Sequence, residues 1–352
     1  MSKIEWTHIP GYKGETWNPV VGCSVVSPGC ANCYAMDKAG RHLDGNPTTP
    51  HYDGTTTVVK RRTVWTGKVA EAPDRTLTAP LRWRKPRAVF VNSMGDLFHE
   101  KVPDLWIDRV FAVMALCPQH IFMVLTKRPA RMRAYLTQGD NEHGDFFERL
   151  SEAAVEISGS PCAGHVADID FPLPNVWLGA SAEDQRRADE RIRDLLATTA
   201  AVRFVSFEPL LGAVDLTALD CGELFEGVSV RIDALSGYAG AERPMVDLGA
   251  KIDWVIAGGE SGRGARPMHP DWVRALRDQC AEASTPFFFK QWGAYRPSDV
   301  AGEGAFPWGL CGPQMARLGK AKTGATLDGA AHRAFPAVDW STDGRARRTE
   351  RG

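Results

Sequence analysis

Six short apolar runs, separated by amphipathic stretches, set the strongest limit on what this chain can fold into. They are Ala88-Val-Phe-Val91, Ile121-Phe-Met-Val-Leu125, Val176-Trp-Leu178, Arg203-Phe-Val-Ser-Phe207, Trp254-Val-Ile-Ala257 and Pro286-Phe-Phe-Phe289. Each is nearly continuous in apolar residues and rich in β-branched and aromatic types, as strands buried on both faces of a parallel sheet are. Asn18 to Gly22 is expected to precede them as a short first strand. Helical spacing is predicted over Asp104–Cys117, Ser181–Leu196 and His269–Cys280, the last with Pro270 at a first-turn position. Strands alternating with helices imply βα units with right-handed crossovers. The expected fold class is therefore α/β, a partial (β/α) barrel, with a doubly wound open sheet as the alternative.

Residues 1–295 carry this rhythm, interrupted by insertions at about 40–87, 139–174 and 220–250 that are rich in turn-forming residues. Residues 296–352 form a C-terminal extension, partly irregular, whose last dozen residues are expected to fray. No apolar run approaches the ~18 residues of a membrane span, and the start lacks the apolar core of a secretory leader. A cytoplasmic, non-membrane protein is expected. The formal net charge is −1, so any nucleic-acid contact needs a local basic patch.

The residues just past each strand point to chemistry. Ser93, Gly95 and Asp96 come after the Ala88 run, Lys127 after the Ile121 run, and Ser181 and Glu183 after the Val176 run. Glu208 succeeds the Arg203 run, Gly258, Gly259 and Glu260 the Trp254 run, and Lys290 the Pro286 run. In (β/α) barrels the active site is assembled at these C-terminal strand ends. Glu208, Lys290 and Lys127 are the candidate catalytic residues. The two lysines suit a phosphate or carboxylate.

Eight cysteines without an export signal argue for metal or redox use over a disulfide framework. Cys117 and Cys280 end helical patterns and read as small core residues. Cys23, Cys30 and Cys33 are different: they form Cys-x6-Cys-x2-Cys in one turn-rich loop with Gly22, Pro28 and Gly29, at the same edge as the polar strand ends. An iron–sulfur cluster normally takes four Cys thiolates, so three leave one iron open to another ligand. The competing reading is a Cys3His zinc site completed by His42 or His51. Tyr34 begins the next helix, where its ring can cover a cluster.

Thr16-Trp-Asn-Pro-Val-Val-Gly-Cys23 and Ser27-Pro-Gly-Cys-Ala-Asn-Cys-Tyr-Ala35 resemble a phage-associated family of radical-SAM-like proteins. Further blocks occur in order: Pro80–Trp83, Phe90–His99, Leu125–Pro129, Phe204–Gly212, Ile252–Gly262 and Phe287–Gly293. That family is distantly similar to radical S-adenosylmethionine enzymes such as spore photoproduct lyase. The resemblance implies a radical SAM type of partial barrel and a [4Fe–4S] cluster on Cys23, Cys30 and Cys33. S-adenosylmethionine would chelate the open iron and yield a 5′-deoxyadenosyl radical on reduction by a donor such as flavodoxin or ferredoxin. Tyr34, Ser93, Gly95, Asp96, Ser181, Glu183, Gly258, Gly259 and Glu260 are the implied cofactor-binding residues. Among them, Asp96 would take the methionine ammonium, Ser181 and Glu183 the ribose or carboxylate, and Gly258-Gly259 would lie beside the adenine. The chain departs from the common pattern in its x6 spacing and in Asn32 before the last Cys.

Phage association and the photolyase-like relationship imply a nucleobase substrate in the host cytoplasm, one such reaction being rearrangement of an amino-acid-modified thymine in DNA. Lys60-Arg-Arg62 and Arg82-Trp-Arg-Lys-Pro-Arg87 offer basic, aromatic-interleaved contacts for such a nucleic acid. Alternatives are a zinc-stabilised nucleic-acid-binding module and a radical enzyme acting on a peptide or small metabolite. Glu183, Glu208 and Glu260 also suggest a hydrolase, but no nucleophile motif accompanies them.

Overall fold

The structure, a computed structural model, describes residues 4–137, 144–168, 170–225, 228–240, 245–298, 304–309, 311–337, 339–340 and 346–347. Seven strands build its central sheet: β1 (Lys13–Trp17), β2 (Arg87–Val91), β3 (Ile121–Thr126), β4 (Val176–Ser181), β5 (Val202–Phe207), β6 (Trp254–Gly258) and β7 (Phe287–Gln291). All neighbours pair in parallel, and the order in space is the order in sequence. A doubly wound sheet reverses its strand order at a switch point. No reversal occurs here, which removes that alternative. β1 and β7 stand at opposite edges, and the sheet curls into a half-barrel.

The alternation of side chains along each strand gives the two faces different work. Val89, Val124, Leu178, Val205, Val255 and Phe289 point to the outer face. There they pack with the helices α2 (Asp104–Ala115), α3 (Pro129–Leu136), α4 (Gly144–Ser158), α5 (Gln185–Leu196) and α6 (Pro270–Glu282). Phe90, Met123, Trp177, Phe204, Trp254 and Phe288 point inward. Among the described residues no α-helix covers that concave face, only the 3₁₀ turn Glu5–Thr7. The face is plugged by the sheet's own aromatics together with Trp6 and Ile9, with Phe335 packed against them. The Trp6 ring lies 4.7 Å from Phe90, and Trp254 sits 6.0 Å from Trp177 and 5.6 Å from Phe335. Gly179 pairs with Phe204 across β4 and β5. A Cβ on Gly179 would come within 2.5–2.7 Å of the Phe204 ring, so the plug's shape requires glycine there.

The plug floors the lower half of the half-barrel. Continuing the same alternation past Leu125, Gly179, Ser206, Ile256 and Phe288 brings Lys127, Ser181 and Glu183, Glu208, Gly258 and Glu260, and Lys290 to the mouth. Hydrophobic floor and polar rim thus come from one period-two pattern.

Six of the seven strands fall on the expected runs. The first strand is a correction: it is Lys13–Trp17, whereas Val20–Val21 pairs antiparallel with Ala70–Glu71 outside the sheet. β1 is an edge strand with Lys13 exposed, and its mixed composition hides it among polar residues. Ser181 and the three residues after it are not helical; the strand runs through Ser181, and α5 starts at Gln185 with Asp184 accepting from the Arg187 amide at 3.0 Å. The insertions contain regular structure. The first holds a hairpin of Thr56–Val59 and Arg62–Trp65, the second α4, and the third a four-stranded antiparallel sheet between Leu219 and Asp247. From the extension, His332 and Ala334 hydrogen-bond across β7, closing that edge. The expected frayed end lies outside the described residues apart from Ala346–Arg347. No helix among the described residues is long and apolar enough to cross a membrane.

Candidate functional site: the cysteine loop over the barrel mouth

The loop from Cys23 to Cys33 has little regular structure of its own, only a 3₁₀ turn at Pro28–Cys30 before helix α1 (Tyr34–His42). Its position is set by side chains rising from four strand ends. After β2, the His99 ring meets Ser24 Oγ at 2.9 Å. After β3, Arg128 donates to Ser24 Oγ at 2.8 Å and to Cys23 Sγ at 3.8 Å. After β4, Glu183 Oε1 accepts the Gly29 amide at 3.2 Å. After β6, Arg266 donates to the Pro28 carbonyl at 3.0 Å, and the Gly264 carbonyl accepts Asn32 Nδ2 at 2.8 Å. The loop is a bridge across the open half-barrel. Gly29 leaves room for the ion pair beneath it: a Cβ there would stand 2.9 Å from Glu183 Oε2 and 3.2 Å from Lys127 Nζ, and would push one of them aside.

Below the loop lies a cavity lined by Cys23, Cys30 and Cys33 on one side and by Ser93, Asp96, Lys127 and Ser181 on the other. Tyr34 and Gly95 also line it, so nine of the sequence-predicted residues meet at one place. The Tyr34 hydroxyl donates to the Ser93 carbonyl at 2.9 Å, which fixes its ring at the rim. Glu183 touches the same wall through Lys127, whose Nζ donates to Ser181 Oγ at 2.8 Å and Glu183 Oε2 at 3.2 Å.

Asp96 is buried and fully engaged. Its carboxylate accepts from Thr126 Oγ1 (2.7 Å), the Phe98 and Lys127 amides (3.0 and 3.1 Å) and Arg128 (2.9 Å). Four donors fill about the four acceptor positions a carboxylate has. Here its work is to tie the ends of β2 and β3 together. Glu183 is wholly buried, and burial alone would raise its pKa. Lys127, Ser27, Arg191 and the Gly29 amide outweigh that and hold it below the usual carboxylate range.

The remaining predicted residues do not line this cavity. Glu208 pairs with Lys290 at 3.0 Å and accepts Trp6 Nε1 at 3.2 Å and Ser206 Oγ at 3.3 Å, forming a second polar group on the inner rim. Gly258 packs against Glu208, and Gly259 against the Trp292 carbonyl. Glu260 is held in a fork by Arg266 at 2.6 and 2.8 Å, the same guanidinium that reaches Pro28. His51, an expected zinc ligand, packs its ring 4.7 Å from Tyr52, and His42 is exposed at the end of α1.

Several residues of the site escape sequence reasoning. Trp65 reaches the cavity from the hairpin of the first insertion and hydrogen-bonds toward Cys33. Arg266 lies six residues past Glu260 through a glycine-containing turn, a spacing that could have suggested the fork. Of the two basic stretches, Lys60–Arg62 lies on that same hairpin, at the turn before Trp65. Arg82–Arg87 precedes and starts β2, at the end of the strand away from the cavity. Arg87 there stacks on Trp83 (4.4 Å) and pairs with Glu15.

Burial pushes the Cys23 thiol up to about 12, with Asp96 adding to the shift and Arg128 opposing it, and burial also raises Cys33. Burial thus favours the protonated thiol at both, at Cys23 even with Arg128 beside it; metal binding would deprotonate such ligands. The three thiols line one cavity, with the Arg128 guanidinium against Cys23. Among the described residues, no group of three or more His, Cys, Asp or Glu side chains is gathered closely enough to hold a metal ion.

No curated protein and no solved structure matches the chain. One family model matches residues 1–336, and its description is "Protein of unknown function (DUF5131)". The match covers nearly the whole chain, so this cysteine loop and its half-barrel belong to a member of the DUF5131 family.

Proposed function

We propose that the chain is a radical S-adenosylmethionine enzyme that carries a [4Fe–4S] cluster on Cys23, Cys30 and Cys33 and acts on a nucleic-acid base. The observation that carries the reading is that these three thiols line one cavity at the C-terminal mouth of a parallel half-barrel, facing Asp96, Lys127 and Ser181. A single tetrahedral zinc at ~2.3 Å from each sulfur would draw its ligands to about 3.8 Å from one another. A cluster asks for less convergence, because each thiolate takes its own iron. When bound, the cluster and S-adenosylmethionine supply the electron and the sulfonium from which a hydrogen-abstracting radical is made.

The chain's residues supply position and charge. Arg128 offsets negative charge at Cys23, while Glu183 and the Glu260–Arg266 fork keep Gly29 and Pro28, and with them Cys30, at a fixed height over the mouth. Lys127 and the Ser181 hydroxyl offer a cation and a hydrogen-bonding group on the opposite wall, suited to the cofactor's carboxylate. The Tyr34 ring, anchored through Ser93, limits water at the rim. The Glu208–Lys290 pair on the inner rim is the candidate for handling the substrate's proton. Lys60 and Arg61 on the hairpin that brings Trp65 to the cavity support a polyanionic substrate.

Anaerobic reconstitution with iron and sulfide tests the reading. The reduced protein should cleave S-adenosylmethionine to 5′-deoxyadenosine, and the Cys23/Cys30/Cys33→Ala protein should not. Iron-free protein after reconstitution, or cleavage unaffected by loss of the cysteines, overturns it.

A further inference from the structure

A second cleft lies against the back of the cysteine loop. Its walls include Pro28, Asp184, Arg266, Trp272, Pro307 and Trp308, and it encloses about 400 Å³. Trp272 comes from the first turn of α6 and Trp308 from the C-terminal extension. Their rings lie 5.6 Å apart at 77°, with the His269 ring 4.8 Å from Trp308 and 5.6 Å from Trp272. An indole floor and an indole wall, edged by prolines, offer an aromatic face to a planar ring. The volume is in the range of small-molecule pockets, about 300–1,000 Å³.

The polar residues define which ring. Arg266 uses Nε and Nη2 on Glu260 and Pro28, so its Nη1 group still has donors to offer among the described residues. Asp184 takes the Arg187 amide on Oδ1 and has only a 3.7 Å approach from Arg187 on Oδ2. The cleft therefore presents a donor and an acceptor beside an aromatic floor. A nucleobase edge carries both acceptors and N–H donors and matches them. A proline-rich peptide, another ligand of aromatic clefts, has fewer N–H donors to offer Asp184.

We infer that this cleft binds one unstacked base of single-stranded nucleic acid, next to the base presented to the cysteine cavity. The inference rests on the proposed nucleic-acid substrate and adds a separate site for it. Pro28 walls the cleft and Cys30, two residues on, lines the cavity, so the two positions share one loop. A base stacked on an indole face has left its own stack, so the ligand is single-stranded or locally opened.

The test is binding of a labelled oligothymidylate of about twelve nucleotides to the full-length protein, read by fluorescence anisotropy. Loss of one base–aromatic stack is expected to raise Kd about tenfold in Trp272→Leu and in Trp308→Leu. The slope of log K against log salt should stay as in the wild type, since no phosphate contact is removed. Trp272→Phe should keep most of the affinity. Matched urea midpoints check that the variants fold. In parallel, a 5-iodouracil oligonucleotide is photocrosslinked to the unaltered protein and should mark peptides containing Trp272 or Trp308. Wild-type binding with both Leu variants within twofold of it, or crosslinks only elsewhere, overturns the cleft and leaves the nucleic-acid reading standing. If the wild type binds no oligonucleotide, or binds a proline-rich peptide instead, both fall.

Discussion

Replacing Glu183 by Gln removes one negative charge from the centre of the site while keeping its shape. The carboxylate is wholly buried and faces Lys127 Nζ and Arg191 Nη1, each at 3.2 Å, with Arg187 at 4.0 Å. The Gln amide oxygen can still accept the Gly29 N–H, while its NH2 then faces the donors of Lys127 and Arg191, so the loop contact is kept and the ion pairs are lost. Removing one partner of a buried ion pair costs about 3–5 kcal/mol. Lys127 keeps 18% of its side-chain surface in water, and Arg191 also donates to the Ser181 carbonyl. These place the cost near the lower end, at about 3 kcal/mol. Urea denaturation at pH 7 should report it.

The pH dependence has a defined sign. A carboxylate whose folded pKa lies below its unfolded value of about 4.3 stabilises above that value. The gain is lost as pH falls through the lower folded value. The gap between wild type and Glu183→Gln should therefore be full at pH 7 and close progressively below about pH 4. Glu183→Ala should lose more, about 1–3 kcal/mol further, because the Gly29 amide then has no acceptor. A Gln variant within about 0.5 kcal/mol of wild type at pH 7, or a gap that widens on acidification, refutes the idea that Glu183 is a charged anchor of the loop.

Arg266→Lys cannot reproduce the fork to Glu260 with its third bond to Pro28; iron retained after reconstitution and desalting should fall several-fold while the overall circular dichroism stays unchanged. Gly179→Ala places a methyl group against the Phe204 ring and should destabilise by about 1–3 kcal/mol; Phe204→Leu in the same chain should recover part of that, measured by urea midpoint. Lys290→Met breaks the pair with Glu208 away from the cysteine cavity; iron content and cleavage of S-adenosylmethionine without substrate should be unchanged, and loss of iron in this variant would contradict the separation of the two polar groups.

The sheet was legible because strands buried on both faces must be apolar on both; Val110–Ala115 is an equally continuous apolar run, and only the helical spacing that begins at Asp104 sets it apart. The strand ends emerged from the same periodicity, which is why Lys127, Ser181 and Asp96 were found beside the cysteines. β1 was missed because Lys13, Glu15 and Thr16 leave an edge strand without an apolar signature. The helix Gly144–Ser158 was hidden by flanking glycine, proline and acidic residues that also mark loops. Roles were harder to read than positions. Asp96 and Glu260 sit where a cofactor carboxylate partner is expected, yet their acceptor positions are taken by Thr126 and Arg128, and by Arg266. Pairings such as Asp96 with Arg128 join residues tens of positions apart and depend on how far the half-barrel curls, which local spacing does not encode. The approach of Trp65 and Trp308 to the cysteine loop comes from insertions packed by tertiary contacts alone.

The central claim is that Cys23, Cys30 and Cys33 together hold one cluster with an open iron. Its most direct measurement is iron and acid-labile sulfide per chain after anaerobic reconstitution, with electron paramagnetic resonance of the reduced protein before and after S-adenosylmethionine. About four iron and four sulfide per chain, a reduced-cluster signal that changes on adding S-adenosylmethionine, and none of these in the triple Cys→Ala protein are the expected results. One tightly held zinc per chain with no iron uptake, or an iron signal indifferent to the three cysteines, would contradict the account.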